Sequence, residues 1–590
     1  MTVKPTPNSV NDMAAARGSA PAATDSAPEL AGTAVSDGTA VIAEALRSRS
    51  ALAALAATAR RLAFWRWTGH KRWAAALAAL FALFYSVFSC AMYYTYRVAT
   101  YDLGIFDQGI RSYAHFGAGI SIAKGLHNFG VANFSVLGDH FSPIDALLAP
   151  LYWIYDSPCD LLVAQAVLFA LAIPPIWVFT RRAVGGGRTG VIAAYAVSVA
   201  YGLSWPIAAA AAFNFHEAAW APMLTAIALE RLQKGRLRGA LIAMAFLLLV
   251  KEDMGLAVAG MGFGLMVTRH LGIPRQRLVG LAIVIVGLVY AFVAIWVFIP
   301  AMGGRANYYW AYTALGDNVT QAVGHIVRHP LSSAKLLITP HVKVRTTIEL
   351  FAPFFFLALL SPIVWVALPL LAERMLENRF GNWWVTKYQY NSYLIVPIAL
   401  AAVQGGVRLQ GWATRIAGNA RVRALLSRAR LANGTNWLAG KIAVGFALVF
   451  AIFSIALVPH FAFGQMFHAS FYHRNATATA EAAAASHVPS GVVVAAVNNI
   501  GPQLDTRDTV LVWDGDGDTP IFTPWVIANV AQSQFTFPSI KAQVQRVDLL
   551  RAHGYVTVFE DAGFLVMHAP GAGGANAVAY SDAFLKEYDG

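Results

Sequence analysis

Runs of roughly 18 or more apolar residues recur along this 590-residue chain. Each is long enough to cross a hydrocarbon core of about 30 Å as a helix. Inside lipid every backbone polar group must find its partner within the protein, which restricts spanning segments to helices and closed barrels. The chain is 57% hydrophobic and only 13% charged, where a soluble chain carries about 25% charged residues. The expected fold class is therefore an α-helical polytopic membrane protein.

The net charge of +13 does not point to nucleic acid. Lys and Arg collect in short loops between apolar runs, which is the positive-inside pattern rather than a binding stripe. Residues 1 to 70 are read as a disordered cytoplasmic tail, of which residues 1 to about 60 are rich in Ala, Ser, Thr, Gly and Pro and almost without aromatics,. Arg60, Arg61, Arg66, Lys71 and Arg72 hold the start of the first span, about 73 to 95, in the cytoplasm. A long external loop, 96 to 158, follows. Spans are then expected at about 160–180, from 188 to an exit near Trp205-Pro206, from His216-Glu217 to Arg231, at 240–250, from 254 to Arg269, and at 278–299. Two more meet at Ser361-Pro362, and the last two are expected at 391–407 and 442–459. The loop 408 to 441 has six Arg and one Lys with no acidic residue, so it is placed inside. The count is about eleven spans within residues 71 to 460, with the N-terminus cytoplasmic and the C-terminus external.

From 461 to 590 the composition changes. Val492–Val497, Val510–Trp513, Tyr555–Phe559 and Phe564–Met567 are short β-branched or aromatic runs between turn residues,. A helical pattern covers Ser539 to Arg551. This predicts a small external α/β domain, and its twelve acidic residues against six basic ones suit that side. Cys90 and Cys159 lie near the outer ends of neighbouring spans, where a disulfide is conceivable; two buried thiols is the plainer reading.

The ionisable residues near the spans fall in one pattern. Asp102, Asp107, Asp139, His140, His216, Glu217, Lys251, Glu252 and Asp253 come from four separate segments, and this topology puts all of them at the external face. Charges beside lipid are costly and tend to mark function. Each also has a plain alternative. Asp102 is either a catalytic carboxylate or the N-cap of the next helix. Asp107, about 140° further round that helix, is more often structural. Asp139-His140 makes either an ordinary turn or an oriented imidazole. Glu217 suits a helix N-terminus, and Lys251 could snorkel.

Other patterns are set aside. Asp514-Gly-Asp-Gly-Asp518 starts like a calcium loop, but its twelfth position is Trp525 instead of Glu,. No phosphate-binding Gly-x-x-x-x-Gly-Lys-Ser/Thr loop and no paired Cys-x-x-Cys occur, which argues against an ATPase or a zinc-ribbon module.

Tyr101-Asp-Leu-Gly-Ile-Phe-Asp-Gln108, Asp139-His-Phe-Ser-Pro143, Phe215-His-Glu217, Lys251-Glu-Asp253 and Leu360-Ser-Pro362 together resemble a family of bacterial polytopic proteins catalogued as a domain of unknown function. That family is grouped with the GT-C membrane glycosyltransferases. The resemblance runs from about 75 to 570 and includes Val492–Asn498 and Gly554–Glu560. It departs at Gln389, where relatives are expected to carry a His.

The resemblance implies a GT-C-like fold in the bacterial inner membrane and transfer of a sugar from a polyprenyl-phosphate donor to an acceptor on the external face. Asp102, close after the first span, then becomes the general base. Lys251, His140 and Arg305 become candidates for the lipid phosphate. Glu217 and Glu252 hold sugar hydroxyls or orient those cations, with Asp139, His216, Asp253 and Asp107 near the substrate. The expected partners are a lipid-linked sugar and membrane lipid, with no nucleic acid. No cofactor is required, and a divalent metal is left open. The rival readings are a secondary transporter, with Lys251-Glu252-Asp253 as the coupling site, and a non-catalytic membrane scaffold.

Overall fold

The computed structural model describes residues 69–185, 187–419, 441–514 and 521–588. The expected tail, most of the loop 408–441 and the Asp516–Asp518 turn lie outside the described residues. The protein is mostly helical, with one small sheet near the C-terminus.

Six helices among the described residues are long and apolar enough to cross a membrane: Gly69–Tyr94, Pro158–Val184, Arg188–Ala212, Gln276–Ala301, Gln389–Gly418 and Ile442–His460. Two further apolar helices, Leu237–Leu248 and Met254–Val267, are shorter. Helix Ser392–Gly418 is the central one, buried without interruption from Ser392 to Val403. Met254–Val267 packs along Gln276–Val293, and Gly69–Tyr94 packs against Pro158–Leu171. Cys90 and Cys159 are free thiols in contact between these last two helices, with their sulfurs 2.9 Å apart.

Three expected boundaries move, and the first is the span expected at 391–407, which runs on as helix to Gly418. The span starting at Arg188 does not end at Trp205-Pro206 but continues as Trp205–Ala212. Pro206 falls in the first turn of that helix, where a proline leaves no intrahelical bond broken. The stretch expected as two spans meeting at Ser361-Pro362 is instead helix His341–Phe351, then short 3-10 turns between Ala352 and Val366, then helix Leu368–Leu376. Irregular backbone at membrane depth must be covered by protein. Here the turns pack on Ser392–Gly418. Gly405 admits the Leu357 carbonyl, because a Cβ at 405 would lie 2.0 Å from that oxygen.

The loop 96–158 is folded. A five-residue π-helical turn, Thr100–Gly104, runs into helix Ile105–Ala114, followed by helix Ile122–Phe129 and a 3-10 run, Pro143–Trp153. The C-terminal sheet has five strands: β1 (Val493–Ala496), β2 (Thr509–Val512), β3 (Trp525–Asn529), β4 (Val556–Asp561) and β5 (Phe564–His568). Their order is β2-β1-β3-β5-β4. β1 runs parallel to β2 and β3, and β5 is antiparallel to β3 and β4. Four strands were expected; β3 is the addition. Helix Ile540–Ala552 starts at a Ser539 cap, whose side chain accepts from the Ala542 N–H, as the pattern from Ser539 suggested. Helix Ile122–Phe129 and the Thr100–Gly104 turn both pack on β2.

One buried cation braces the segment that follows the irregular stretch. Lys343 is fully buried and donates to the carbonyls of Leu336, Met375 and Glu377 at 2.8, 2.7 and 2.7 Å. Lys343→Met removes all three donors, and an unpaired buried acceptor costs about 1–3 kcal/mol. We predict a thermal midpoint in detergent several degrees lower for this variant; an unchanged midpoint contradicts the brace.

Candidate functional site

Where the loop 96–158 folds over the helix ends, it encloses a cavity of about 1580 Å³. Asp102, Asp139, His140, His216, Glu217 and Lys251 all line it. These six come from the loop, from the start of the helix that follows Phe213, and from the turn between Leu237–Leu248 and Met254–Val267.

Asp102 sits within the π-helical turn, a local geometry found frequently at functional sites,. It is not a helix cap: the N-cap of Ile105–Ala114 is Gly104, with no side-chain bond. The Asp102 Oδ1 lies 3.4 Å from His216 Nε2. His216 is held from three directions. Its backbone N–H donates to Gln165 Oε1 at 3.3 Å, Phe213 stacks on its ring, and Phe106 meets it edge-on. Its Nδ1 is buried with no hydrogen-bond partner among the described residues. Asn214, at φ 62° in a region that Asn tolerates, reaches back to accept from the Ala99 N–H at 3.0 Å.

The remaining charges form linked pairs. Lys251 Nζ meets Glu217 Oε1 at 3.1 Å, while Glu217 Oε2 has no partner among the described residues. His140 Nδ1 lies 2.8 Å from Glu252 Oε1, and the Phe141 N–H donates to Glu252 Oε2 at 3.1 Å. The Tyr309 ring stacks on His140, and its hydroxyl donates to Asp139 Oδ1 at 2.6 Å. The other oxygen of Asp139 meets Lys124 Nζ at 3.0 Å. Lys124 is almost wholly buried among the rings of Tyr101, Tyr308 and Tyr309.

Burial alone would lower the Lys124 ammonium, but Asp139 beside it outweighs that and holds it above the ordinary lysine value. Burial would likewise raise Asp139, yet Lys124 and His140 keep it below the usual carboxylate range. For His140, burial and Lys251 pull the imidazole down, and Glu252 with Asp139 outweigh them, so it is raised.

Four expected site residues stand apart from the cavity wall. Asp107 is fully buried, taking the Arg111 guanidinium at 2.7 Å and the Tyr152 hydroxyl at 2.6 Å. Arg305 is exposed and does not line the cavity. Glu252 lies behind His140, and Asp253 has a buried oxygen without a partner among the described residues. Sequence reasoning passed over Lys124, whose signal is a single Lys inside the apolar run Ile120-Ser-Ile-Ala-Lys-Gly-Leu126. Gln389, the point of departure from the family pattern, lines the cavity, and its Oε1 has no partner among the described residues. Beyond the charges, the wall becomes apolar along Ala352, Pro353, Phe453 and Leu457, with Arg345 and Lys387 nearby. No group of three or more His, Cys, Asp and Glu among the described residues could hold a metal ion.

Removing one member of a buried ion pair strands the other, at about 3–5 kcal/mol. Lys124→Met should therefore lower the unfolding midpoint sharply, and adding Asp139→Leu should restore much of the loss. A double variant as unstable as the single one contradicts the pairing. The raised His140 stabilises the fold when protonated. That contribution is complete below the unfolded histidine value of about 6.5 and is lost as pH rises through the folded value. The stability advantage of the native chain over His140→Gln should shrink as pH rises; a constant difference contradicts it.

The solved structures similar to this chain include two of one protein. ArnT from Cupriavidus metallidurans bound to undecaprenyl phosphate has a TM-score of 0.45 and 14% identity, covering 84% of this chain and 97% of that one. The same protein in the apo state gives 0.41 and 13%, covering 85% and 98%. No curated protein matches the chain. The family model described as "Predicted membrane protein (DUF2079)" matches residues 92–566, so it spans the π-helical turn, the paired charges of the cavity and all but the last two residues of the C-terminal sheet. The chain belongs to this family of membrane proteins.

Proposed function

We propose that the chain is a membrane glycosyltransferase that moves a sugar from a polyprenyl-phosphate donor to an acceptor on the external face, with Asp102 as general base. The observation that carries this reading is the composition of one cavity wall. A carboxylate on a π-helical turn, a cluster of paired cations and an apolar arm share a single space. The reaction needs those three things: a proton acceptor for the attacking hydroxyl, positive charge for the departing phosphate, and a groove for the lipid.

In this reading His216 engages Asp102 Oδ1 and leaves Oδ2 free for the acceptor hydroxyl. Lys251, oriented by Glu217, faces the phosphate as the glycosidic bond breaks, and His140 stands behind it. Arg305 has no part, because it lies away from the cavity. The lipid follows the wall formed by Phe453 and Leu457. The chain crosses the bacterial inner membrane about eleven times within residues 71–460, five of the crossings made by short helices or broken segments. Residues 1–70 form a cytoplasmic tail, and 461–590 form an external domain.

Secondary transport is favoured by one observation, the burial of Glu252. Its partner, however, is His140 of the first long loop, which puts the burial beneath that loop rather than along a pathway through the bundle.

The test is transfer of labelled sugar from a polyprenyl-phosphate donor by the protein in liposomes. A positioned base contributes about 10²–10⁴-fold, so Asp102→Asn should lower kcat by that order and leave donor KM nearly unchanged. Transfer that survives Asp102→Asn contradicts the role of Asp102. Solute uptake without any sugar transfer supports transport instead.

A further inference from the structure

The first N–H groups of a helical turn have no partner inside the turn itself. In Thr100–Gly104, the turn that carries Asp102, Asn498 supplies partners for the first two. Asn498 lies two residues past the end of β1, and its neighbour Val497 is tied to β3 through an N–H bond to the Ile527 carbonyl at 3.0 Å. The Asn498 carbonyl accepts from the Thr100 N–H at 2.7 Å and from the Thr100 hydroxyl at 2.9 Å. Its side-chain Oδ1 accepts from the Tyr101 N–H at 2.9 Å. One residue therefore takes three donors from the two positions just before Asp102.

The contact is too close for ordinary side chains. A Cβ on Gly501 would lie 2.1 Å from Thr100 Oγ1, and one on Gly104 would lie 2.8 Å from Asp505 Oδ2. One helical turn further on, the Gln108 amide donates to the Val510 carbonyl at 2.8 Å and to Asp505 at 3.3 Å. On the other side, Gln503 donates to the Tyr93 carbonyl at 2.8 Å, at the end of the first helix. The segment from Asn498 to Val510 thus grips the chain before, within and after the turn.

We infer that Asn498 is a positioning residue for Asp102, and that the C-terminal sheet serves as the mould that sets the base against the cavity. The inference rests on the role proposed for Asp102. A base displaced by about 1 Å loses roughly 10²-fold in rate, so the grip acts on kcat and not on donor binding. Asn498→Ala keeps the carbonyl but removes the acceptor of the Tyr101 N–H. Asn498→Asp restores an acceptor at the same reach.

The experiment combines hydrogen exchange of full-length protein in liposomes with sugar-transfer kinetics. Asn498→Ala should speed exchange across residues 99–104 at least tenfold, while exchange across β1 and β2 stays as in the native chain. kcat should fall 10- to 100-fold with donor KM within twofold. Asn498→Asp should restore slow exchange at 99–104. Unchanged exchange at 99–104 in Asn498→Ala overturns the inference, as does failure of Asn498→Asp to restore it. If Asn498→Ala loosens the whole sheet, Asn498→Ser, too short to reach Tyr101, takes its place; loosening in both variants assigns Asn498 a purely structural role and overturns the proposal. Exchange needs no turnover. Absence of transfer in the native protein therefore counts against the glycosyltransferase reading alone, and the exchange result still decides the grip.

Discussion

A charge that leaves water beside lipid is tolerable only if its partner leaves with it, and that constraint organises this protein. The loop 96–158 brings Lys124, Asp139 and His140 over the helix ends, and each finds its counterpart there. Lys124 meets Asp139 within the loop, and His140 meets Glu252 of the turn between two short helices. Lys251 of that turn meets Glu217. Opposite charges at such distances attract strongly once water is excluded, and the desolvation of each is offset only by its partner and its hydrogen bonds. Of these pairs, His140 with Glu252 ties the loop to the helix ends. The cavity is the space left between the loop, the helix ends and the sheet.

Much of this was legible because membrane burial simplifies the code. Long apolar runs and the positive loops between them located four of the six long helices to within about four residues, while the spans expected to end near Trp205-Pro206 and at 407 run on to Ala212 and Gly418. The segments bearing Asp102, Asp139-His140, His216-Glu217 and Lys251 were also expected on one face, and the structure has those six residues on one cavity wall. What stayed hidden was pairing and depth. Spacing cannot tell a carboxylate aimed into a cavity from one locked in the core. Asp102 and Asp107 differ only in that Arg111 and Tyr152, one on the same helix and one 45 residues away, close around the second. Lys124 escaped notice because a single Lys in an apolar stretch reads as a snorkelling side chain. Arg305 was a candidate as a cation for the lipid phosphate, but it is exposed and away from the cavity, whereas Tyr309 of the same loop lines it. The strand Trp525–Asn529 has no period-2 alternation, since all five residues are buried between neighbouring strands.

The sheet changes what the π-helical turn means. As sequence, Thr100–Gly104 is a short link between a membrane helix and an amphipathic one. As structure, it is held at its start by Asn214 and Asn498 and at its end by Gln108 against Val510. Roughly 400 residues separate the two sides of this grip, so no local pattern could have revealed it. It also gives the C-terminal part of the chain work to do at the site, without adding a charged residue to the cluster.

The most direct measurement of the central claim is a structure of the protein with a non-transferable polyprenyl-phosphonate sugar in a lipid nanodisc. The account predicts the lipid tail along Phe453 and Leu457, the phosphonate facing Lys251, and the anomeric carbon turned toward Asp102 with room between them for one hydroxyl oxygen. Sugar density elsewhere, or an Asp102 carboxylate turned away from the sugar, would contradict it.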